Sequence, residues 1–134
     1  MLGIREPDIY GSQTMEDIHQ QLAKEAADLG MDISFYQSNS EGALVDRLQA
    51  AYGQQDGVIL NPAAYTNTSI ALYDAIKAVS LPVIEVHLSN IHAREEMRWR
   101  SLLAPACLGQ IAGLGSMGYS LALLALYGHL NEGR

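Results

Sequence analysis

The sequence is poor in cysteine and in basic residues. Its one cysteine, Cys107, cannot form an intrachain disulfide, and it lies in an apolar run, which favours a buried thiol over a nucleophile or a metal ligand. Such sparing use of cysteine is typical of a reducing compartment, so we expect a cytoplasmic protein. Eight basic residues stand against fifteen acidic ones, for a net charge of −7. Since binding to a phosphate backbone needs a surplus of positive charge, we expect no nucleic-acid partner.

Long apolar runs are also absent. No stretch approaches the roughly 18 apolar residues of a membrane span, and the first residues, MLGIREPDIYG, lack the apolar region of a signal peptide. We therefore expect no membrane association. What the chain does have is 49% hydrophobic residues in 134, with 17% charged, which is enough for one packed core. The composition predicts a single domain over residues 1–134.

Helical and strand patterns alternate along the chain. Thr14, with Asp17 three residues on, predicts the start of a first helix that ends at Gly30. Further helices are predicted over 41–52, 68–79 and 117–130, and strands over 32–37, 57–60, 82–87 and 106–112. The strand 57–60, GVIL, is wholly apolar and is predicted to be buried on both faces. This alternation predicts an α/β fold, in which a parallel sheet carries helices on both faces.

Polar residues follow the predicted strands at the points where ligands bind in such sheets. The segment NPAAYTNTS, 61–69, comes directly after one strand, and HLSNIHARE, 87–95, completes another. Amide and hydroxyl groups suit a small ligand rich in oxygen atoms. A third polar segment, REPDIYGS at 5–12, has no strand before it, although a loop of this kind normally follows one.

His87 ends an apolar strand, which would fix it at the edge of the sheet as a general acid or base. The alternative is a histidine at the edge of the core whose ring bonds to a backbone carbonyl. His87 and His92 lie five residues apart with no Cys or Asp in a metal-ligand pattern, so we expect no metal.

The residues after His87 offer groups for an anion. Leu88 and Ser89, turning out of the strand, are placed to present backbone N–H groups to a carboxylate. Arg94 and Arg98 lie one helical turn apart and would share an anion, or would form a solvated ion-pair surface with the glutamates between them.

Arg5 and Tyr10 form a second candidate pair. A tyrosine has an unperturbed pKa of about 10, but a nearby guanidinium stabilises the phenolate and lowers that value. The pair would then act as a base. The alternative is a loop tyrosine that only packs.

Five segments together resemble signature blocks of the type II 3-dehydroquinate dehydratases. They are LGIREPDIYGS, FYQSNSEG, DGVILNPAAYTNTSIAL, PVIEVHLSNIHAREEMR and GLGSMGYSLAL, and they span nearly the whole chain. The resemblance implies a flavodoxin-like fold, a three-layer αβα sandwich with a parallel sheet. It also implies a homododecamer built of trimers, and an enzyme of the shikimate or quinate pathway that uses no metal and no cofactor.

The resemblance further implies a lyase that converts 3-dehydroquinate to 3-dehydroshikimate through an enolate. Tyr10 would remove a proton alpha to the ketone, and Arg5 would stabilise the tyrosinate. His87 would protonate the departing hydroxyl, with Glu85 in support. The implied substrate-binding residues are Asn61, Asn67, Asp74, Leu88, Ser89, Arg94 and Arg98, of which Asp74 matches an aspartate at a subunit contact.

Two departures from the family pattern alter these expectations. Family members begin with a strand that ends in a GPNLN stretch, and this chain starts after it, so we expect a sheet without its central first strand. A substrate-binding histidine of the family is Asn67 here. The alternative function is therefore a catalytically weak or silent homologue that acts as a binding or assembly subunit. A flavin-binding or phosphoacceptor module is disfavoured because the loops lack a phosphate-cradling glycine run.

Overall fold

The computed structural model describes residues 13–89 and 101–132. Within these residues the helices are α1 (Met15–Asp28), α2 (Glu41–Ala51), α3 (Ile70–Val79) and α4 (Met117–Leu130). The strands are β1 (Val58–Leu60), β2 (Val83–His87) and β3 (Gly109–Ala112), and two short 3₁₀ helices span Ala63–Asn67 and Ala104–Ala106. None of the described helices is long and apolar enough to cross a membrane.

The three strands form a parallel sheet in the order β1-β2-β3. Val58 pairs with Val83 on one side of β2, and Glu85 pairs with Gln110 on the other. All five residues of β2 are buried, because this strand has a neighbour at each edge and helices over each face. The predicted α/β fold with a parallel sheet is confirmed.

Each face of the sheet carries its own apolar core. On one face, α1 and α4 pack against Ile84 and Val86 of β2. On the other face, α2 and α3 pack against Leu60 and Val83. The side chains of β2 alternate between the two cores, as the period of a strand requires. The result is the three-layer αβα sandwich that the family resemblance implies.

The first helix begins where local capping chemistry predicts. Thr14 accepts a hydrogen bond from the backbone N–H of Asp17, and the Asp17 carboxylate accepts one from the backbone N–H of Thr14. This reciprocal pair satisfies two donors at the helix start, an arrangement whose loss costs about 1 kcal/mol. Met15, Ile18 and Leu22 then lie on the buried face of α1.

The strand prediction for residues 32–37 is wrong. These residues form an extended segment, and none of their backbone groups bonds to the backbone of another described residue. A strand forms only where a second backbone edge pairs with it, and within the described sheet β1 has only β2 as a neighbour. For the same reason Val58 and Ile59 are half-buried, not buried on both faces as predicted.

Two predicted boundaries also move. β3 begins at Gly109 and not at 106, because Pro105 lies in a 3₁₀ turn over Ala104–Ala106. α3 begins at Ile70 and not at 68, because Ser69 caps it by accepting a hydrogen bond from the backbone N–H of Leu72.

Candidate active site

The candidate site lies at the carboxyl end of β2, where Glu85 and His87 share one face of the strand. Successive side chains of a strand alternate between faces, so residues two apart lie side by side. Glu85 Oε2 is 2.5 Å from His87 Nε2. The Glu85 side chain is fully buried, and His87 is 6% exposed. Because the side chains of β2 alternate between its two faces, this one strand provides both members of a buried carboxylate–imidazole pair.

Two hydroxyl groups complete the surroundings of the Glu85 carboxylate. Thr66, in the 3₁₀ helix after β1, donates to Oε2. Ser101 lies 2.8 Å from Oε1 and 2.9 Å from Oε2. The Ser101 oxygen also accepts hydrogen bonds from the backbone N–H groups of Leu103, at 3.1 Å, and Ala104, at 2.9 Å. We call Glu85, His87, Thr66 and Ser101 the Glu85 network.

The network keeps Glu85 ionised. Burial raises the pKa of this carboxyl, but the hydrogen bonds with His87, Thr66 and Ser101 and the charge of His87 outweigh burial, so the pKa lies below its ordinary value. An ionised carboxylate only accepts hydrogen bonds, so Nε2 of His87 must carry a proton and donate it to Glu85. No hydrogen bond joins Nδ1 of His87 to another described residue.

Asn61 occupies the corresponding position after β1. Its Nδ2 donates to the Tyr119 hydroxyl at 2.9 Å, and its Oδ1 accepts from the Ala63 backbone N–H at 3.0 Å. Ala63 takes a left-handed conformation with φ 52°, which typically costs about 1–3 kcal/mol. These contacts hold the amide in one orientation, and Nδ2 retains a second hydrogen that can donate to a ligand. Because β1 and β2 are parallel neighbours, Asn61 and His87 share one edge of the sheet.

The remaining described candidate residues, Asn67, Leu88 and Ser89, lie near this edge of the sheet and differ in how far they are buried. Asn67 is half-buried, one residue after Thr66. Leu88 is buried in the core beneath α1 and α4, and its carbonyl accepts from the Gly115 N–H at 2.8 Å. Ser89 is half-buried directly after it.

Asp74 is not joined to the Glu85 network. It lies on an exposed face of α3, and no hydrogen bond links it to the Glu85 network within the described chain. Arg5, Tyr10, Arg94 and Arg98 lie outside the described residues.

Three residues at the site were not singled out from the sequence: Thr66, Ser101 and Tyr119. Thr66 lies inside the polar segment 61–69, which was predicted to bind a ligand, but no role was predicted for this side chain. Tyr119 stood inside the block GLGSMGYSLAL, but no role was predicted for it. Ser101 carried no signal, because its hydroxyl meets Glu85 only in the folded chain.

Cys107 lies close enough to the site to be affected by its charge. Burial, together with the negative charge of Glu85, raises the pKa of this half-buried thiol to about 12. The thiol is therefore protonated at neutral pH and is a poor nucleophile. Among the residues that the structure describes, no three His, Cys, Asp or Glu side chains are grouped so that they could hold a metal ion.

Comparison with known proteins gives consistent matches. The family model described as "Dehydroquinase class II" matches residues 1–127. A 3-dehydroquinate dehydratase of Geotalea daltonii is 55% identical over 132 residues, which are 98% of this chain and 92% of that protein. One from a Sulfurovum species is 57% identical over 132 residues, covering 98% and 82%. The crystal structure of a type II dehydroquinase from Propionibacterium acnes superposes with a TM-score of 0.87 at 42% identity, covering 94% of this chain and 87% of that one.

Proposed function

The chain belongs to the class II dehydroquinase family, and we propose that the Glu85 network forms the proton-donating part of its active site. The protein is a 3-dehydroquinate dehydratase, a hydro-lyase that removes water from 3-dehydroquinate to give 3-dehydroshikimate. The observation that carries this conclusion is identity above 50% over nearly the whole chain to proteins of that name. The alternative of a silent assembly subunit is not favoured by these matches.

In the proposed reaction, one protein group removes a proton from the substrate and a second group protonates the leaving hydroxyl. Tyr10, as a phenolate stabilised by Arg5, removes the proton alpha to the ketone and leaves an enolate. The enolate re-forms the ketone as the carbon–oxygen bond to the leaving hydroxyl breaks, and His87 protonates that hydroxyl. The substrate loses a proton to Tyr10 and loses its hydroxyl, which His87 protonates to water. The substrate has therefore lost one molecule of water. The proton gained by Tyr10 then returns to His87 through solvent.

The geometry around His87 supports its role as the acid. Glu85 occupies Nε2, so Nδ1 is the nitrogen that would donate to the substrate hydroxyl. The buried carboxylate holds the ring in one orientation, and the hydroxyls of Thr66 and Ser101 hold the carboxylate. Glu85 is therefore a positioning residue in this proposal, since it acts through His87.

Substrate recognition is assigned to the polar groups at the same sheet edge. Asn61 would donate its remaining amide hydrogen to a substrate hydroxyl, and the backbone N–H groups of Leu88 and Ser89 would hold the carboxylate. Asn67 would replace the donor that the family's histidine supplies. The arginines assigned to substrate oxygens are Arg94 and Arg98. Because Asp74 is exposed on α3, we assign it to a neighbouring subunit's site.

We propose that the protein assembles as closed trimers, four of which form a dodecamer, and that it functions in the cytoplasm. Large apolar side chains lie exposed on two helices: Ile70 on α3 is 70% exposed, and Met117 and Leu124 on α4 are 62% and 53% exposed. Because α3 and α4 lie on opposite faces of the sheet, both outer surfaces of the sandwich offer apolar side chains for contact between subunits. Light scattering at micromolar concentration is expected to give a multimer of three or twelve chains, and a stable monomer would contradict the proposal.

The function is tested by mixing the purified protein with 3-dehydroquinate and following the absorbance of the conjugated enone product. His87→Asn keeps a hydrogen-bonding side chain but removes the transferable proton. We expect this variant to lose at least ~10²-fold in rate, as is typical when a general acid is removed. His129→Asn, on the exposed end of α4, is the matched control and should retain the wild-type rate. Absence of enone formation by the wild-type protein would overturn the assignment.

A further inference from the structure

Tyr119 is the residue through which α4 reaches the candidate site. Its hydroxyl accepts a hydrogen bond from Nδ2 of Asn61 at 2.9 Å, across 58 residues of sequence. The Tyr119 side chain is 4% exposed and belongs to the apolar core beneath α1 and α4. A buried hydroxyl of α4 is thus joined to the residue that directly follows β1.

The amide of Asn61 is held at both of its ends. Its Oδ1 accepts a hydrogen bond from the backbone N–H of Ala63 at 3.0 Å. A backbone N–H can only donate, so the amide atom that faces Ala63 must be the oxygen, and Nδ2 must face Tyr119. One hydrogen bond alone would let the amide plane turn about that contact, whereas two bonds fix the plane. The Tyr119 hydroxyl therefore sets the direction in which the second Nδ2 hydrogen points.

The segment that leads into Tyr119 is also bonded to the end of β2. The backbone N–H of Gly113 donates to the carbonyl of His87 at 3.2 Å, and that of Gly115 donates to the carbonyl of Leu88 at 2.8 Å. Both glycines take left-handed conformations, with φ 85° and 60°, which residues with a side chain rarely adopt. Residues 113–119 therefore connect the end of β2 that carries His87 with the end of β1 that carries Asn61.

Gly118 allows α4 to come close to the sheet. A Cβ at this position would lie 3.2 Å from Cγ1 of Val86 and 3.5 Å from Cγ2 of Ile111. The first distance is shorter than the optimum of about 3.5–4.0 Å between carbon atoms. A side chain here would therefore displace α4 or Val86 by a few tenths of an ångström. Tyr119 is the next residue, so its hydroxyl would move with the helix.

We propose that Tyr119 is a positioning residue for the dehydratase reaction, and that residues 113–119 set the geometry between Asn61 and His87. The inference rests on the substrate-binding role proposed for Asn61. Tyr119 acts through that amide and makes no contact with the substrate. Asn61 is assigned to binding and not to bond breaking, so loss of the Tyr119 hydroxyl should raise the Michaelis constant more than it lowers the catalytic constant.

The test is steady-state kinetics of enone formation by the full chain. Tyr119→Phe keeps the ring in the core and removes only the hydrogen-bond acceptor. We expect the Michaelis constant to rise about two- to tenfold, as the loss of one hydrogen bond predicts, with the catalytic constant nearly unchanged. Tyr127→Phe makes the same chemical change on the same helix at a side chain that is 36% exposed. This control should keep the wild-type constants.

A second pair of variants tests the close approach of α4. Gly118→Ala should also raise the Michaelis constant, because the added Cβ displaces the helix that carries Tyr119. Gly128→Ala is its matched control, since a Cβ at that position of α4 would meet no atom within 4 Å. A Gly118→Ala variant that behaves like the Gly128→Ala control would overturn the role given to the close approach.

A double-mutant cycle separates positioning from packing. If Tyr119 acts through Asn61, Tyr119→Phe should leave the Michaelis constant unchanged in an Asn61→Ala background, so that the two changes are not additive. A side chain that only packs would give a different pattern. Its replacement would lower the melting temperature and the catalytic constant in both backgrounds, and the Michaelis constant would stay the same.

The outcomes distinguish this inference from the binding role on which it rests. The inference alone is overturned if Asn61→Ala raises the Michaelis constant while Tyr119→Phe does not. It is also overturned if Tyr119→Phe has its full effect in the Asn61→Ala background. If Asn61→Ala itself keeps the wild-type Michaelis constant, the substrate-binding role proposed for Asn61 fails, and the inference fails with it.

Discussion

Replacing Ser101 by alanine tests whether the Glu85 network depends on a residue that the sequence did not reveal. The substitution removes the hydroxyl that lies 2.8 and 2.9 Å from the two Glu85 oxygens. A hydrogen bond to a charged group contributes about 1.5–3 kcal/mol, and a buried N–H left without an acceptor costs about 1–3 kcal/mol. The backbone N–H groups of Leu103 and Ala104 would both lose their acceptor. The cost is counted once, for Leu103, because Leu103 is fully buried whereas Ala104 is only half-buried.

The sum of these terms is about 2.5–6 kcal/mol. Ser101 is half-buried, so water can replace part of what is lost, and we expect a decrease in unfolding free energy near the lower end, about 2–3 kcal/mol. For a domain of this size that corresponds to a melting temperature lower by roughly 10 °C. Urea denaturation at pH 7 measures the difference. Ser34→Ala, which removes an exposed serine with a weak 3.5 Å contact to Arg47, is the control and should stay within about 0.5 kcal/mol.

The pH dependence separates the charged part of this loss from the rest. The folded-state pKa of Glu85 lies below its ordinary value, so its stabilising contribution is present above the ordinary pKa and is lost as pH falls through the folded pKa. Ser101→Ala removes one of the groups that lower this pKa. The stability difference between wild type and variant should therefore be largest at neutral pH and shrink as the pH falls below about 4. The assignment would be refuted if the stability difference between wild type and variant were the same at neutral pH and below about pH 4. It would also be refuted if the variant were as stable as wild type at pH 7.

Three further predictions concern single residues. Tyr10→Phe should lower the rate by at least ~10²-fold with little change in melting temperature, and most of the activity surviving would remove Tyr10 as the base. Asn67→His should lower the Michaelis constant about two- to tenfold while changing the catalytic constant less, because a lost or lengthened hydrogen bond costs roughly 0.5–1.5 kcal/mol; unchanged steady-state constants would show that Asn67 does not occupy the histidine's role. Cys107, whose pKa is raised to about 12, should resist iodoacetamide at pH 7.5 in the native protein and react on addition of urea, and rapid native labelling measured by mass spectrometry would contradict this.

The sequence predicted elements whose signals are local. The reciprocal bonds of Thr14 and Asp17 lie within one turn of chain, so the start of α1 was readable from four residues. His87 was placed at the sheet edge because an apolar strand leads directly into it. The segment 32–37 has the composition of a strand, but pairing depends on a neighbouring backbone that composition does not report. That is why the prediction was wrong there.

The composition of the site was predictable only in part, for the same reason. Glu85 and His87 are two residues apart, and their contact follows from strand periodicity. Thr66 and Ser101 lie 19 and 16 residues from Glu85 in sequence, and only the folded chain brings their hydroxyls to one carboxylate. A pattern search along the chain has no means of selecting these two from the other serines and threonines.

The central position of β2 has a consequence for the order of folding. β2 makes both strand pairings of the described sheet, and its side chains contribute to both apolar cores. Each apolar core is complete only when this strand is in place, so we expect β2 to lie at the centre of the folding nucleus. Val86→Ala, a change within β2, should therefore slow refolding, whereas Ala26→Gly in α1 should mainly accelerate unfolding. Stopped-flow measurement of the two rate constants would distinguish these effects, and refolding slowed more by the α1 change would place the nucleus elsewhere.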